Sequence, residues 1–128
     1  MSDRLLDVYD ALLLDLDGTV YRGSHAIPGA GAVVEAARRS DVAVRFVTNN
    51  ASRSPREVAR HLTDLGIAAD ASEVNTSAQA GAAVLAGRLH PGDEVLVVGT
   101  DALADEVTAV GLKPVRAATS ATKAVVQG

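Results

Sequence analysis

Two aspartates at i and i+2, Asp15 and Asp17, follow the apolar run Ala11-Leu12-Leu13-Leu14. On an extended backbone, side chains two residues apart project to the same side. Placed just past a buried strand, these carboxylates share one small volume. Two like charges that close call for a cation or a shared proton. Mg²⁺ suits such a pair, because it takes hard oxygen ligands and keeps waters that a phosphate can replace. One carboxylate can then attack phosphorus. The other can protonate the leaving oxygen and afterwards deprotonate the hydrolytic water. Gly18 lets the chain turn away sharply. The plainer alternative is a strand end whose two aspartates are solvated and cap a turn.

A second polar cluster, Thr48-Asn49-Asn50, follows the apolar segment Val42–Val47, 33 residues beyond Asp15. A hydroxyl, amides and backbone N–H groups at a strand end are suitable donors to developing negative charge. Taken alone, the cluster reads more simply as a polar turn after a strand.

Short elements must hold these residues. Ala11–Leu14 and Val42–Val47 read as strands buried on both faces. Asp17–His25, broken by Gly18 and Gly23, reads as a loop. Pro28-Gly29 opens a helix over Ala30–Ser40, with Val33, Val34 and Ala37 on one face. Ser54-Pro55 with Glu57 has capping-box spacing and starts a helix that runs to Leu65 and stops at Gly66. Thr76–Leu89 is an Ala-rich helix capped by Thr76 or Ser77. His90–Asp93 is a turn, Glu94–Val98 a strand and Asp101–Val110 a helix. Lys113–Val115 and Ala124–Gln127 read as short strands. Alternating strands and helices predict an α/β fold with a parallel sheet, in which ligands bind at the carboxyl ends of strands. Asp15 and Thr48 both stand at such ends. The later βα run either extends the same sheet or opens a second domain.

Composition excludes several alternatives. The net charge is −4 and only Tyr9, Tyr21 and Phe46 are aromatic. A nucleic-acid surface, which needs basic patches and stacking rings, is therefore not expected. The core must be largely aliphatic. The absence of cysteine excludes disulfides and thiolate metal sites and fits a cytoplasmic protein. Met1–Asp10 has neither the basic start nor the apolar stretch of a leader. Its longest neighbouring apolar run is far too short to span a membrane.

The string Asp15-Leu16-Asp17-Gly18-Thr19-Val20-Tyr21-Arg22-Gly23 resembles the first motif of the haloacid-dehalogenase-like superfamily. More narrowly, it resembles the class IIA, nitrophenylphosphatase-like branch. Phe46-Val47-Thr48-Asn49-Asn50-Ala51-Ser52-Arg53 resembles the second motif of that branch. Ser77-Ala78 before an Ala-rich helix, and Val97-Val98-Gly99 before Leu103, also match it. The overall wording is similar to actinobacterial members assigned as glycerol-3-phosphate phosphatases. The resemblance spans the whole chain, but only as the N-terminal part of the family's length.

This resemblance implies a three-layer Rossmann-like core over residues 1–92. The beginning of an α/β cap domain, inserted after the second motif, would occupy 93–128. The interval between the two motifs holds too little chain for a large cap of its own. The implied activity is Mg²⁺-dependent hydrolysis of a small phosphate monoester through an aspartyl-phosphate, with glycerol 3-phosphate as the specific expectation. Asp15 would be the nucleophile and a Mg²⁺ ligand through its side chain. Asp17 would be the acid/base and a Mg²⁺ ligand through its backbone carbonyl. Thr48 would bond a phosphoryl oxygen, with Asn49 and Asn50 completing the anion pocket.

The family also uses a lysine beside the nucleophile and an acidic pair after a later strand. Lys113-Pro114 mimics the lysine motif only superficially: Leu112 precedes it and no strand ending in an acidic pair follows. Lys113 reads as solvated, and Asp93-Glu94 as a turn. The expectation is a fragment that binds Mg²⁺ poorly and turns over little. Two alternatives remain: a non-catalytic unit that binds phosphate or a partner, and a phosphotransferase. His61, among Arg56, Arg60 and Asp64, reads as part of a solvated helix face. His25 sits in the loop beside the acidic pair. Gly29-Ala30-Gly31 is a weak nucleotide fingerprint. Gly99-Thr100-Asp101 reads as a helix cap at Thr100 or Asp101.

Overall fold

The structure, a computed structural model, describes residues 4–128. The acidic start read at Met1–Asp10 therefore falls partly outside the described residues. The chain packs as two compact units. One holds the described residues through Thr48 together with Pro55–Asn75. The other holds Asn49–Ser54 and Thr76–Gly128.

In the first unit a single-turn helix, α1 (Leu5–Val8), precedes strand β1 (Ala11–Asp15). A hairpin of two-residue strands follows, β2 (Tyr21–Arg22) and β3 (His25–Ala26). Helix α2 (Ala30–Arg39) leads to β4 (Ala43–Thr48), and helix α3 (Pro55–Asp64) leads by a 3₁₀ turn to β5 (Val74–Thr76). The sheet order is β1–β4–β5. β1 and β4 run parallel from Ala11↔Ala43 to Asp15↔Val47, as a strand–helix–strand crossover requires. This is the α/β pattern expected from the sequence.

Burial differs from the expectation. Neither β1 nor β4 is covered on both faces. Val44, Phe46 and Thr48 of β4 are buried while Ala43, Arg45 and Val47 between them are exposed. On β1, Leu13 is 67% exposed between the half-buried Leu12 and Leu14. The cause is that the core lies on one face of this three-stranded sheet. That core is aliphatic except for Phe46, its largest fully buried side chain. Helix α3 presents Val58, Ala59 and Leu62 to the interior, and α2 presents Val34 and Ala37. Val33, expected on the same face as Val34, is 47% exposed. Its position is one residue, about 100° of helical turn, off the Val34–Ala37 stripe.

Strand β5 was not expected. Asp70 and Glu73 form a capping box around the 3₁₀ turn Ala71–Glu73. The Arg38 guanidinium donates to both Glu73 oxygens, at 2.8 and 3.1 Å, tying α2 to the turn that delivers β5.

The second unit has its own parallel sheet, so the later βα run does not extend the first. β6 (Glu94–Val98) is central, flanked by β7 (Lys113–Val115) and β8 (Thr122–Gln127). Helix α4 (Ser77–Ala86) packs here through Ala78, with α5 (Asp101–Ala109) contributing Leu103 and Val107. The apolar contacts of α4 are with Val95, Val97 and their neighbours. Thr76 caps α4 in a capping box with Gln79. Thr100 stands at the start of α5 but makes no side-chain cap, because its hydroxyl donates to the Ser52 carbonyl at 3.0 Å.

Glu94 is the buried carboxylate of this unit, 8% exposed at the start of β6. Thr119 Oγ1 donates to it at 2.5 Å and Thr122 Oγ1 at 3.0 Å, and Lys113 Nζ lies 3.3 Å away. Lys113 is thus an ion-pair partner as well as a largely solvated residue. The Thr119 hydroxyl is the main cause that holds the Glu94 pKa below the usual glutamate value, with Thr122 and Lys113 assisting and burial opposing. The ionised form is therefore the one that favours folding. Its stabilisation is complete above the ordinary glutamate pKa and is lost as pH falls through the lowered folded value. Urea unfolding followed across acidic pH is expected to show Glu94→Gln less stable than wild type at neutral pH. The gap should close as the pH drops. A gap that widens in acid contradicts this assignment.

Among the described residues no helix is long and apolar enough to cross a membrane.

Candidate active site at the strand ends of the first unit

The acidic pair lies where β1 stops. Asp15 is its last residue, and Leu16, between the two aspartates, is completely buried. Asp15 and Asp17 are both exposed. The apolar anchor in the middle thus fixes the backbone while leaving a carboxylate exposed on each side of it. Immediately afterwards the chain turns back. The Leu16 carbonyl accepts from the amides of Thr19 (3.1 Å), Val20 (2.9 Å) and Tyr21 (3.2 Å). Gly18 makes this possible with φ of +83°, a region that side chains with a Cβ rarely occupy. Its amide donates to the Tyr21 carbonyl at 2.8 Å, and Asp17 forms a bridge with Tyr21.

Tyr21 begins a hairpin where a loop was expected. Its register is Tyr21↔Ala26 and Arg22↔His25, turning at Gly23-Ser24. A two-residue Gly-Ser turn is a recognised hairpin signal. Its arms here are too short to show alternation. His25 is exposed, with Nδ1 3.3 Å from Ser24 Oγ. His61 is not part of a solvated face: its Nε2 donates to the Gly23 carbonyl at 2.9 Å, and its ring forms a T-shaped pair with Tyr21, centroids 4.8 Å apart. A contact spanning 38 residues leaves no local pattern to read.

Thr48 ends β4, the strand adjacent to β1, one residue past the Val47 that pairs with Asp15. It is 7% exposed and follows Val44 and Phe46 in the buried alternation, whereas Asp15 follows the exposed Leu13. The two side chains therefore leave neighbouring strand tips on alternate sides of the pleat. A ligand serving both has to sit over the tips, not against either face.

The structure thus brings Asp15, Asp17 and Thr48 to one end of one sheet. Asn49 and Asn50 belong to the second unit. There the Asn49 carbonyl accepts from Ser77 Oγ at 2.8 Å. Asn50 Oδ1 accepts from the Ser52 amide at 2.8 Å and from Ser52 Oγ at 2.5 Å, closing its own turn. Among the described residues no group of three or more His, Asp or Glu is gathered to hold a metal.

A pair of acids at the first strand end, a sharp Gly18 turn and a threonine ending the next strand are the geometry on which the family comparison bears. Residues 12–113 match the haloacid dehalogenase-like hydrolases. The chain belongs to that family. It is 53% identical over 120 residues to D-glycerol 3-phosphate phosphatase of Mycobacterium tuberculosis, covering 94% of this chain and 33% of that protein. A crystal structure of glycerol phosphate phosphatase from the same organism, in complex with magnesium, matches with a TM-score of 0.91 at 52% identity. That match covers 97% of this chain and 37% of the other. The 4-nitrophenylphosphatase of Thermotoga maritima matches with a TM-score of 0.84 at 25% identity, over 98% of this chain and 47% of that one. These neighbours identify the chain as a nitrophenylphosphatase-like, class IIA haloacid dehalogenase-like hydrolase. The chain spans about a third of the length of the curated relative it matches.

Proposed function

We propose that the whole protein is a Mg²⁺-dependent phosphatase for a small phosphate monoester, with glycerol 3-phosphate as its substrate. The observation that carries this reading is the pair of exposed carboxylates flanking the buried Leu16 at the end of β1, beside the strand that ends in Thr48. The substrate rests on the activity named for the relative with 53% identity.

In this reading an Asp15 oxygen attacks phosphorus and the bond from phosphorus to the alkoxide oxygen breaks. Asp17 gives its proton to that leaving oxygen. Asp17, now a carboxylate, takes a proton from water. The water oxygen then attacks the aspartyl-phosphate, restoring Asp15 and releasing phosphate. Thr48 Oγ1 donates to a phosphoryl oxygen from the neighbouring tip, and Asn49 and Asn50, next in sequence, are this reading's further anion donors. The two acids are the right donor type for Mg²⁺, which commonly binds through one or two carboxylates and retains several waters. Asp15 would hold it by its side chain and Asp17 by its backbone carbonyl. Bound Mg²⁺ supplies positive charge against the phosphoryl oxygens. Residues 93–128 begin the cap in this reading, and the cysteine-free sequence supports a cytoplasmic setting.

Phosphate release from glycerol 3-phosphate by the whole protein is expected to stop on chelation with EDTA and to return when Mg²⁺ is restored. Release that continues undiminished in EDTA removes the metal from the reading. No release from any small phosphate monoester removes the reading itself.

A further inference from the structure

The acid/base loop is braced from a distance. Tyr21 closes it by accepting from the Gly18 amide and donating to the Leu16 carbonyl. Asp17, exposed between them, depends on that backbone for its placement. Tyr21 is also the first residue of the β2–β3 hairpin, whose turn residue Gly23 has its carbonyl fixed by His61. A single imidazole on α3 therefore touches the hairpin at two points: its turn, through an N–H donor, and its root, through a T-shaped contact with the Tyr21 ring. Two-residue strands are marginal without outside support. The carbonyl acceptor requires the proton on Nε2, so the contact selects one neutral tautomer or the imidazolium.

We propose that His61 is a positioning residue for Asp17: it clips the Tyr21–Ala26 hairpin to α3 and so holds the loop that presents the carboxyl group to the leaving oxygen. The functional half of this proposal rests on Asp17 being the acid/base, whereas the clip itself does not.

The test combines two measurements on the whole protein. In His61→Ala, hydrogen exchange at the amides of Gly18, Tyr21 and Ile27 is expected to quicken by roughly tenfold, the scale of one lost hydrogen bond. Exchange along the β1–β4 ladder should be unchanged. In the same variant kcat should fall while KM holds. Leaving-group release in the first turnover should slow more for an alkyl phosphate than for p-nitrophenyl phosphate, whose leaving oxygen needs little protonation. His61→Gln, which keeps an N–H donor, should recover part of both effects. Should His61→Ala not fold, His61→Phe keeps a ring against Tyr21, removes the donor and serves the same measurements. Unaltered exchange at the three amides overturns the clip. Faster exchange with kcat intact, or an equal loss on both substrates with no burst of nitrophenolate, overturns the positioning role. If Asp17→Asn leaves turnover intact, the acid/base reading fails, and the exchange data still decide the clip.

Discussion

Asp15→Asn in the whole protein is expected to lower phosphate release by on the order of 10⁴-fold or more, as loss of a covalent nucleophile does. The substitution keeps the shape of the side chain and removes only its nucleophilic oxygen and charge. Asp15 is exposed at the end of an edge strand and lines no part of the core. Stability should therefore move by no more than about 0.5 kcal/mol, the usual range for a surface change. Thermal melting and phosphate release measured on the same preparation separate the two effects. An unchanged melting point with turnover lost supports covalent chemistry at this position. Turnover within tenfold of wild type assigns the nucleophile elsewhere.

Why this residue could be singled out from sequence, and His61 could not, is a matter of range. The acidic pair announces itself locally: an apolar run, a carboxylate, one residue, another carboxylate, then Gly18. Each feature constrains its neighbours through backbone geometry alone. The strands bearing Asp15 and Thr48 were legible for the same reason, as were the helices at Ala30 and Pro55. Each is marked within one segment, the strands by an apolar run and the helices by their start and stop residues.

Burial was not legible, because it depends on what packs against an element. Leu13 belongs to as apolar a run as any in the chain, yet it faces outward from an edge strand. β5 and the hairpin failed for a related reason. Three residues, or two, carry no period, and both are held by distant partners: Glu73 by Arg38, Gly23 by His61. Glu94 looked like a turn residue until Thr119 and Thr122 folded over it. Local chemistry thus marked the acids, while long-range contacts set the scaffold that aims them.

Asp17→Asn provides the sharper test of mechanism, because the proposed residue acts twice. As an acid it assists departure of the alkoxide. As a base it activates the water that cleaves the aspartyl-phosphate. General acid–base catalysis contributes on the order of 10²–10⁴-fold, so steady-state release from glycerol 3-phosphate should fall by about that factor. p-Nitrophenyl phosphate separates the two duties, since its leaving oxygen departs without a proton. With this substrate the first step should survive and the second should stall. The variant should then release a rapid burst of nitrophenolate, close to one equivalent per enzyme, followed by slow turnover. Phosphate should remain on Asp15, where mass spectrometry of the quenched enzyme can locate it. A double variant lacking Asp15 as well should show no burst. Equal losses on both substrates with no burst mean that Asp17 does not transfer the proton. Its exposed carboxylate beside Leu16 would then serve the phosphoryl group only through charge or through the metal.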